Sequence, residues 1–149
     1  KFIEYRQVLV VDKAGKTAIY SGPNSLGIWT QAQGLDVASG GNMLANDRVP
    51  QAMVDSFLAS SGHLGDRLIS AMRAGLAAGG EAGPLHSAGI LLVDSVAWPV
   101  AELRCDWTDN CPIENIATAW EVYKPQLAAY VQRAIDPRDA PSYGVPGDQ

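Results

Sequence analysis

The spacing of apolar and polar positions divides the chain into elements. Residues 6–12, Arg-Gln-Val-Leu-Val-Val-Asp, hold a continuous β-branched run, which reads as a strand buried on both faces. Lys13-Ala14-Gly15-Lys16 is a turn signal, and Thr17 to Tyr20 resumes as a second strand, so the two form a β-hairpin. Ser21 to Ser25, with Gly22 and Pro23, breaks the pattern into a loop. Residues 28–32 and 35–38 each fit a short strand, the second running into Gly40-Gly41. Such a glycine pair lets backbone or ligand approach closely.

The period then lengthens. Val49, Met53 and Phe57 recur every four residues behind Asn46-Asp47, which stands where a helix cap would stand. Ser60-Ser61-Gly62 ends this helix, and Leu64, Leu68, Met72 and Leu76 mark a second one that stops at Gly79-Gly80. Together they read as a helical hairpin. Residues 87–94 form a second strongly buried strand. In 101–107 Leu103, Cys105 and Trp107 alternate with Glu102, Arg104 and Asp106, as in a half-exposed strand. Asp109 or Asn110 can cap a last helix with Pro112 in its first turn, its apolar face stepping through Ile113, Ile116, Trp120, Tyr123, Leu127, Tyr130 and Ala134. Pro125 must kink or split that helix. Residues 1–135 read as one domain, and 136–149, rich in Pro and Gly, as an extended tail. Segregated strands and helices indicate α+β with antiparallel pairing.

Composition narrows the function. With 149 residues, 47% hydrophobic and 18% charged, the chain has the apolar content of a globular domain and not of a disordered one. Eleven Lys and Arg against sixteen Asp and Glu leave a net charge of −5, which offers no footprint for nucleic acid or an anionic membrane surface. No apolar run approaches the roughly 20 residues of a membrane span. Lys1 to Arg6 does not read as a secretory signal, and a cytoplasmic location is expected. Cys105 and Cys111 can bridge a loop only if their Cα atoms come within about 7 Å; two idle thiols are the preferred reading. With two histidines and no Cys-x-x-Cys pair, no metal centre is expected.

Generic catalytic motifs are absent: no Gly-x-Gly-x-x-Gly, no Walker loop and no Gly-x-Ser-x-Gly elbow. His86-Ser87 pairs an imidazole with a hydroxyl, but neighbours on a strand face opposite ways, which favours a plain loop-to-strand junction. Asn42 follows the glycine pair. Its amide can donate to a developing oxyanion, or it can simply turn the chain before the helix. Asp94, Asp106 and Asp109 lie near strand ends, where solvated loop acids and helix caps are the commoner outcome. Trp29, Trp98, Trp107 and Tyr123 serve packing more often than a pocket. His63, just ahead of the second helix, reads as a surface loop residue.

Several segments in order resemble one family: Gln7-Val-Leu-Val-Val-Asp-Lys-Ala-Gly-Lys-Thr-Ala, Ser21-Gly22, Gly40-Gly41-Asn42-Met43-Leu44-Ala45, and Asp66 through Gly83. So do His86-Ser87-Ala88-Gly89, Leu103-Arg-Cys-Asp-Trp with Pro112-Ile113, and the tail Ala140-Pro-Ser-Tyr-Gly-Val-Pro-Gly-Asp. The family is DUF1028, bacterial proteins with Ntn-hydrolase-like character. The resemblance implies a four-layer αββα sandwich and hydrolysis of a small amide or related C–N bond. In that group the N-terminal Ser, Thr or Cys of a processed chain is the nucleophile and its own α-amino group the base. Lys1 cannot play that part. The resemblance therefore implies that the family's leading third is a second, cleaved piece of the same gene product, is missing by truncation, or is absent from a short non-catalytic relative. A sheet without its leading strands exposes unpaired edges, which favours the first two.

On this reading Asn42 is the catalytic oxyanion donor. Gly41, His86, Ser87 and Asp106 contact a small-molecule substrate, no cofactor is required, and the chain forms a homo-oligomer. The competing reading is a non-catalytic subunit for small-molecule binding or assembly.

Overall fold

A computed structural model of the chain describes residues 1–142. Half of the anticipated tail, 143–149, lies outside the described residues; within 136–142 the stretch Pro137–Asp139 is a 3-10 turn capped by the Asp136 side chain.

Strands β1 (Gln7–Val11) and β2 (Thr17–Ser21) pair antiparallel around the expected turn, with Val8 opposite Tyr20 and Val10 opposite Ala18. Gly15 closes the turn at φ +78°, and Asp12 Oδ1 accepts from the Ala14 and Lys16 amides. Strands β3 (Ile28–Gly34) and β4 (Val37–Leu44) form a second antiparallel hairpin, longer than the sequence implies and with a register shift between Ile28 and Thr30.

The two hairpins stack face to face. Ser21 Oγ donates to Gln31 Oε1 at 2.6 Å, and Leu9 lies against Gly40, where an added Cβ would come within 3.3 Å of its side chain. Helix α1 (Val49–Ala59) covers the other face of β3–β4, with Val54 and Leu58 against Gly34.

Helix α2 (Leu64–Ala77) packs on α1. Strands β5 (Ala88–Leu92) and β6 (Ala101–Cys105) form a third antiparallel pair, against which α3 (Pro112–Tyr123) lies. The main hydrophobic cluster sits there: Ile69, Ile90, Leu92, Val100, Ala101, Ile116, Ala117 and Trp120, whose indole is wholly buried. Pro125 does split the last helix. A 3-10 turn, Lys124–Gln126, separates α3 from α4 (Leu127–Ile135).

The architecture is therefore a mixed α/β arrangement of small antiparallel sheets and helices, as the segregated pattern implies. Several details depart from expectation. β1 is not buried on both faces, since Val8 and Val10 are about half exposed and point away from the second hairpin. β5 is buried on one side only, through Ile90 and Leu92, with Leu91 outside.

The buried stripe of α2 is Gly65, Ile69, Ala71 and Gly75, so Leu64 and Leu76 stay largely exposed. The small residues win this face because α1 and α3 come too close for larger ones. An added Cβ at Gly75 would lie 2.8 Å from Met53 Cγ. On α4, Tyr130 and Ala134 are exposed. The helix caps also shift. Asn46 accepts from the Arg48 amide two residues ahead of the Arg48 cap of α1, and α3 is capped by Cys111 without a side-chain bond. His63 does more than occupy the surface: its Nδ1 accepts from the Gly65 amide and so caps α2.

Candidate functional site

A polar cavity of about 430 Å³ opens where the segment before β1 meets the loop after β2 and the end of β4. Its geometry begins with Gly22. An added Cβ there would sit 2.3 Å from the Glu4 carbonyl oxygen, so only glycine lets the 22–25 loop lie against residues 3–6. The Gly22 amide donates to Arg6 O at 2.8 Å and the Asn24 amide to Glu4 O at 2.8 Å. Ser25 Oγ closes the turn on Gly22 O at 2.9 Å. On the opposite wall the Met43 amide donates to Leu26 O at 2.9 Å, with Met43 itself at φ +53°. That left-handed residue ends the regular strand beside Asn42.

Asn42 therefore stands in β4 and not in a pre-helical turn. Its exposed side chain lines the cavity with Arg6, Asn24 and Tyr5. Asn42 Nδ2 donates only one long bond, to Leu26 O at 3.4 Å. Gly41 lies beside it in the strand, and its carbonyl accepts from Gln7 Nε2 at 3.2 Å, the amide that also donates to Ser21 Oγ. Gly41 is thus spent on holding the two hairpins together.

The other expected site residues lie elsewhere. The His86 ring stacks on the exposed Trp107 with centroids 4.0 Å apart, and Nδ1 lies 2.9 Å from Thr108 O and 3.9 Å from Asp109 Oδ1. Only a protonated Nδ1 can donate to that carbonyl. Ser87 is exposed and lines a separate, almost wholly apolar cavity of about 250 Å³ between α1, α2 and β5, walled by Leu44, Met53, Met72 and Ile113. Asp106 is exposed and accepts from Arg104 Nη2 at 2.8 Å, which raises the guanidinium pKa above its ordinary value. Of the five residues, Asn42 alone lines the polar cavity.

Arg6 and Asn24 are the residues sequence reasoning passed over. Arg6 reads as the polar edge of a strand and Asn24 as one more loop former, and only the Gly22 closure brings them together. Among the described residues no group of three His, Cys, Asp or Glu side chains converges as a metal site, and no helix is long and apolar enough to cross a membrane. Cys105 and Cys111 are both free thiols.

Comparison with known proteins places this geometry. The model of DUF1028, a family of unknown function, matches residues 1–116, and the chain belongs to that family. Its fold is similar to the crystal structure of protein SPO2555 from Silicibacter pomeroyi, assigned to the same family. The TM-score is 0.72 at 28% sequence identity, over 81% of this chain and 53% of that one. The chain thus spans about half the length of that neighbour. No curated protein matches it in sequence.

Proposed function

We infer that this chain supplies a substrate-binding wall of a hydrolase acting on a small amide or related C–N bond, built on the four-layer αββα plan of Ntn hydrolases. The observation that carries the reading is Asn42: a side-chain amide on the rim of a polar cavity, held by one long hydrogen bond and so able to donate to an incoming oxygen. A nucleophile from an N-terminal segment of the same gene product would attack the amide carbonyl. The oxyanion of the tetrahedral adduct would take its hydrogen bond from Asn42 Nδ2. The amine would leave with a proton, and water would release the acid. The free thiols Cys105 and Cys111 fit a reducing, cytoplasmic setting for this chemistry.

The test is intact-mass analysis of the full gene product under denaturing conditions, followed by an assay on simple amides. A second polypeptide beginning with Ser, Thr or Cys is expected, with kcat falling about 10²–10³-fold in Asn42→Ala. Hydrolysis unchanged by that substitution would remove Asn42 from the mechanism.

A second reading, a non-catalytic binding or assembly subunit that forms a homo-oligomer, rests on the outer face of β1–β2. There Val8, Val10 and Tyr20 stand together, each at least 40% exposed. A single unprocessed species with ligand binding and no turnover would favour it.

A further inference from the structure

The arginines of this chain are mostly engaged. Arg73 grips Glu114 through two bonds at 2.6 and 2.7 Å, Arg104 binds Asp106 and Arg138 binds Asp136. Arg67 donates to Phe57 O and lies 3.9 Å over the Phe57 ring, and Arg133 donates to Pro141 O. Arg6 and Arg48 have no side-chain hydrogen bond, ion pair or ring contact among the described residues, and of the two Arg6 lines a described cavity. It nevertheless sits in an acidic protein, with sixteen carboxylate side chains against eleven cationic ones. The Arg6 cavity brings a guanidinium, three side-chain amides and a phenol together.

Among the described residues no carboxylate lines that cavity. Gln7 directs its amide nitrogen away, into Ser21 and Gly41 O, and Ser25 directs its hydroxyl to Gly22 O. The groups left to meet a ligand are the Arg6 guanidinium, the Asn24 and Asn42 amides and the Tyr5 hydroxyl. Every one of them can donate, and one is permanently charged. A guanidinium presents its N–H groups in a planar fork that matches the two oxygens of a carboxylate. The volume, about 430 Å³, lies within the range of small-molecule sites.

We propose that this cavity binds a small carboxylate-bearing molecule, with its carboxylate on Arg6 and its amide or second polar end against Asn24 and Asn42. This assignment deepens the amide-hydrolase reading by giving its substrate class, an amide that also carries a free carboxylate, and it rests on the same cavity.

Binding is measured by calorimetry on the full-length protein, so that no turnover is needed. The probes are glutarate, its neutral diamide glutaramide and inorganic phosphate. Glutarate should bind more tightly than glutaramide, and its affinity should fall as salt is raised. Arg6→Gln should weaken glutarate at least 10-fold and leave glutaramide unchanged, while Arg6→Lys should recover part of the loss. Among the described residues the Arg6 side chain makes no hydrogen bond, ion pair or ring contact, so both variants should keep the wild-type circular dichroism spectrum and melting temperature.

Glutarate affinity unchanged in Arg6→Gln, or no preference for glutarate over glutaramide, would overturn the proposal. So would phosphate binding more tightly than glutarate through Arg6. Carboxylate binding without any amide hydrolysis would sink the hydrolase reading and leave this one standing. Hydrolysis of neutral amides with KM unchanged in Arg6→Gln would do the reverse.

Discussion

The buried indole of Trp120 donates from Nε1 to Asp66 Oδ1 at 2.7 Å, which ties α3 to the first turn of α2. Asp66 Oδ2 in turn accepts from Lys124 Nζ at 2.7 Å. One carboxylate thus satisfies the indole N–H of the most buried side chain in the molecule and holds the cation at the end of α3. Asp66→Ala leaves that N–H without its partner. It should destabilise the fold by about 1–3 kcal/mol in denaturant titration, the usual cost of orphaning a buried donor. An unchanged midpoint would mean that water replaces the carboxylate.

The same pair sets a pH dependence. The Lys124 hydrogen bond, then that of Trp120, holds the Asp66 carboxyl below its ordinary pKa. A folded-state pKa below the unfolded one means that the stabilisation is complete above the unfolded value of about 3.9. It is lost as the pH falls through the folded value. Lys124 is shifted upward by Asp66, so its share is complete below its unfolded pKa and is lost only in strong alkali. Acid unfolding should therefore begin at higher pH in Lys124→Met than in the wild type, when followed by tryptophan fluorescence.

Gly65 makes the Trp120 contact possible. An added Cβ would stand 2.4 Å from Trp120 Cζ2, and a fully buried ring has nowhere to retreat. Gly65→Ala improves local helix propensity by as much as about 1 kcal/mol. Overpacking should outweigh this and leave a net loss of about 1–3 kcal/mol. A thermal melt at or above that of the wild type would show that the two helices can move apart freely.

Asn46 joins the end of β4 to the end of α2. Its Nδ2 donates to Ala78 O at 2.7 Å, and its Oδ1 accepts from the Arg48 amide at 3.0 Å. Asn46→Ala forfeits both bonds and should cost about 1–2 kcal/mol. Asn46→Asp keeps only the second bond and places a negative charge against a carbonyl, so it should be no better than alanine. A Tm ranking with aspartate near the wild type would exclude the Ala78 bond as the source of the effect.

Cys105 and Cys111 are partly buried and unpaired. Thiol labelling of the denatured, unreduced protein should count two thiols per chain. In the native state labelling should be slow, because both side chains are shielded. A mass two daltons lower without reductant would mean that they pair.

Turn chemistry and proline carried the legible part of the fold. Gly15 marks the first hairpin, Pro112 opens α3, and Pro125 divides α3 from α4 near where its missing amide demands. Burial was less legible. Val8 and Val10 belong to an unbroken apolar run, yet a run records the affinity of a face and not whether anything covers it. On α2 the contact face is built from Gly65, Ala71 and Gly75, which carry almost no hydrophobic signal, while the exposed Leu64 and Leu76 carry it strongly. At the site, Asn42 was legible because two glycines precede it. Arg6 and Asn24 were not, because no local pattern reports that Gly22 folds two loops onto each other. His86 and Ser87 are neighbours in sequence and Asp106 lies well beyond them, yet the pairing of Ala88 with Cys105 and the stacking of His86 on Trp107 bring all three to one end of the β5–β6 hairpin, away from the polar cavity.

The polar cavity draws its walls from residues 5–7, 24–26 and 42, none of which belongs to the hydrophobic cluster around Trp120. The proposed recognition and the cohesion around Trp120 therefore rest on separate sets of residues. Substitutions at positions 24 or 42 should alter the ligand proposed for the cavity while the Trp120 cluster keeps the chain folded.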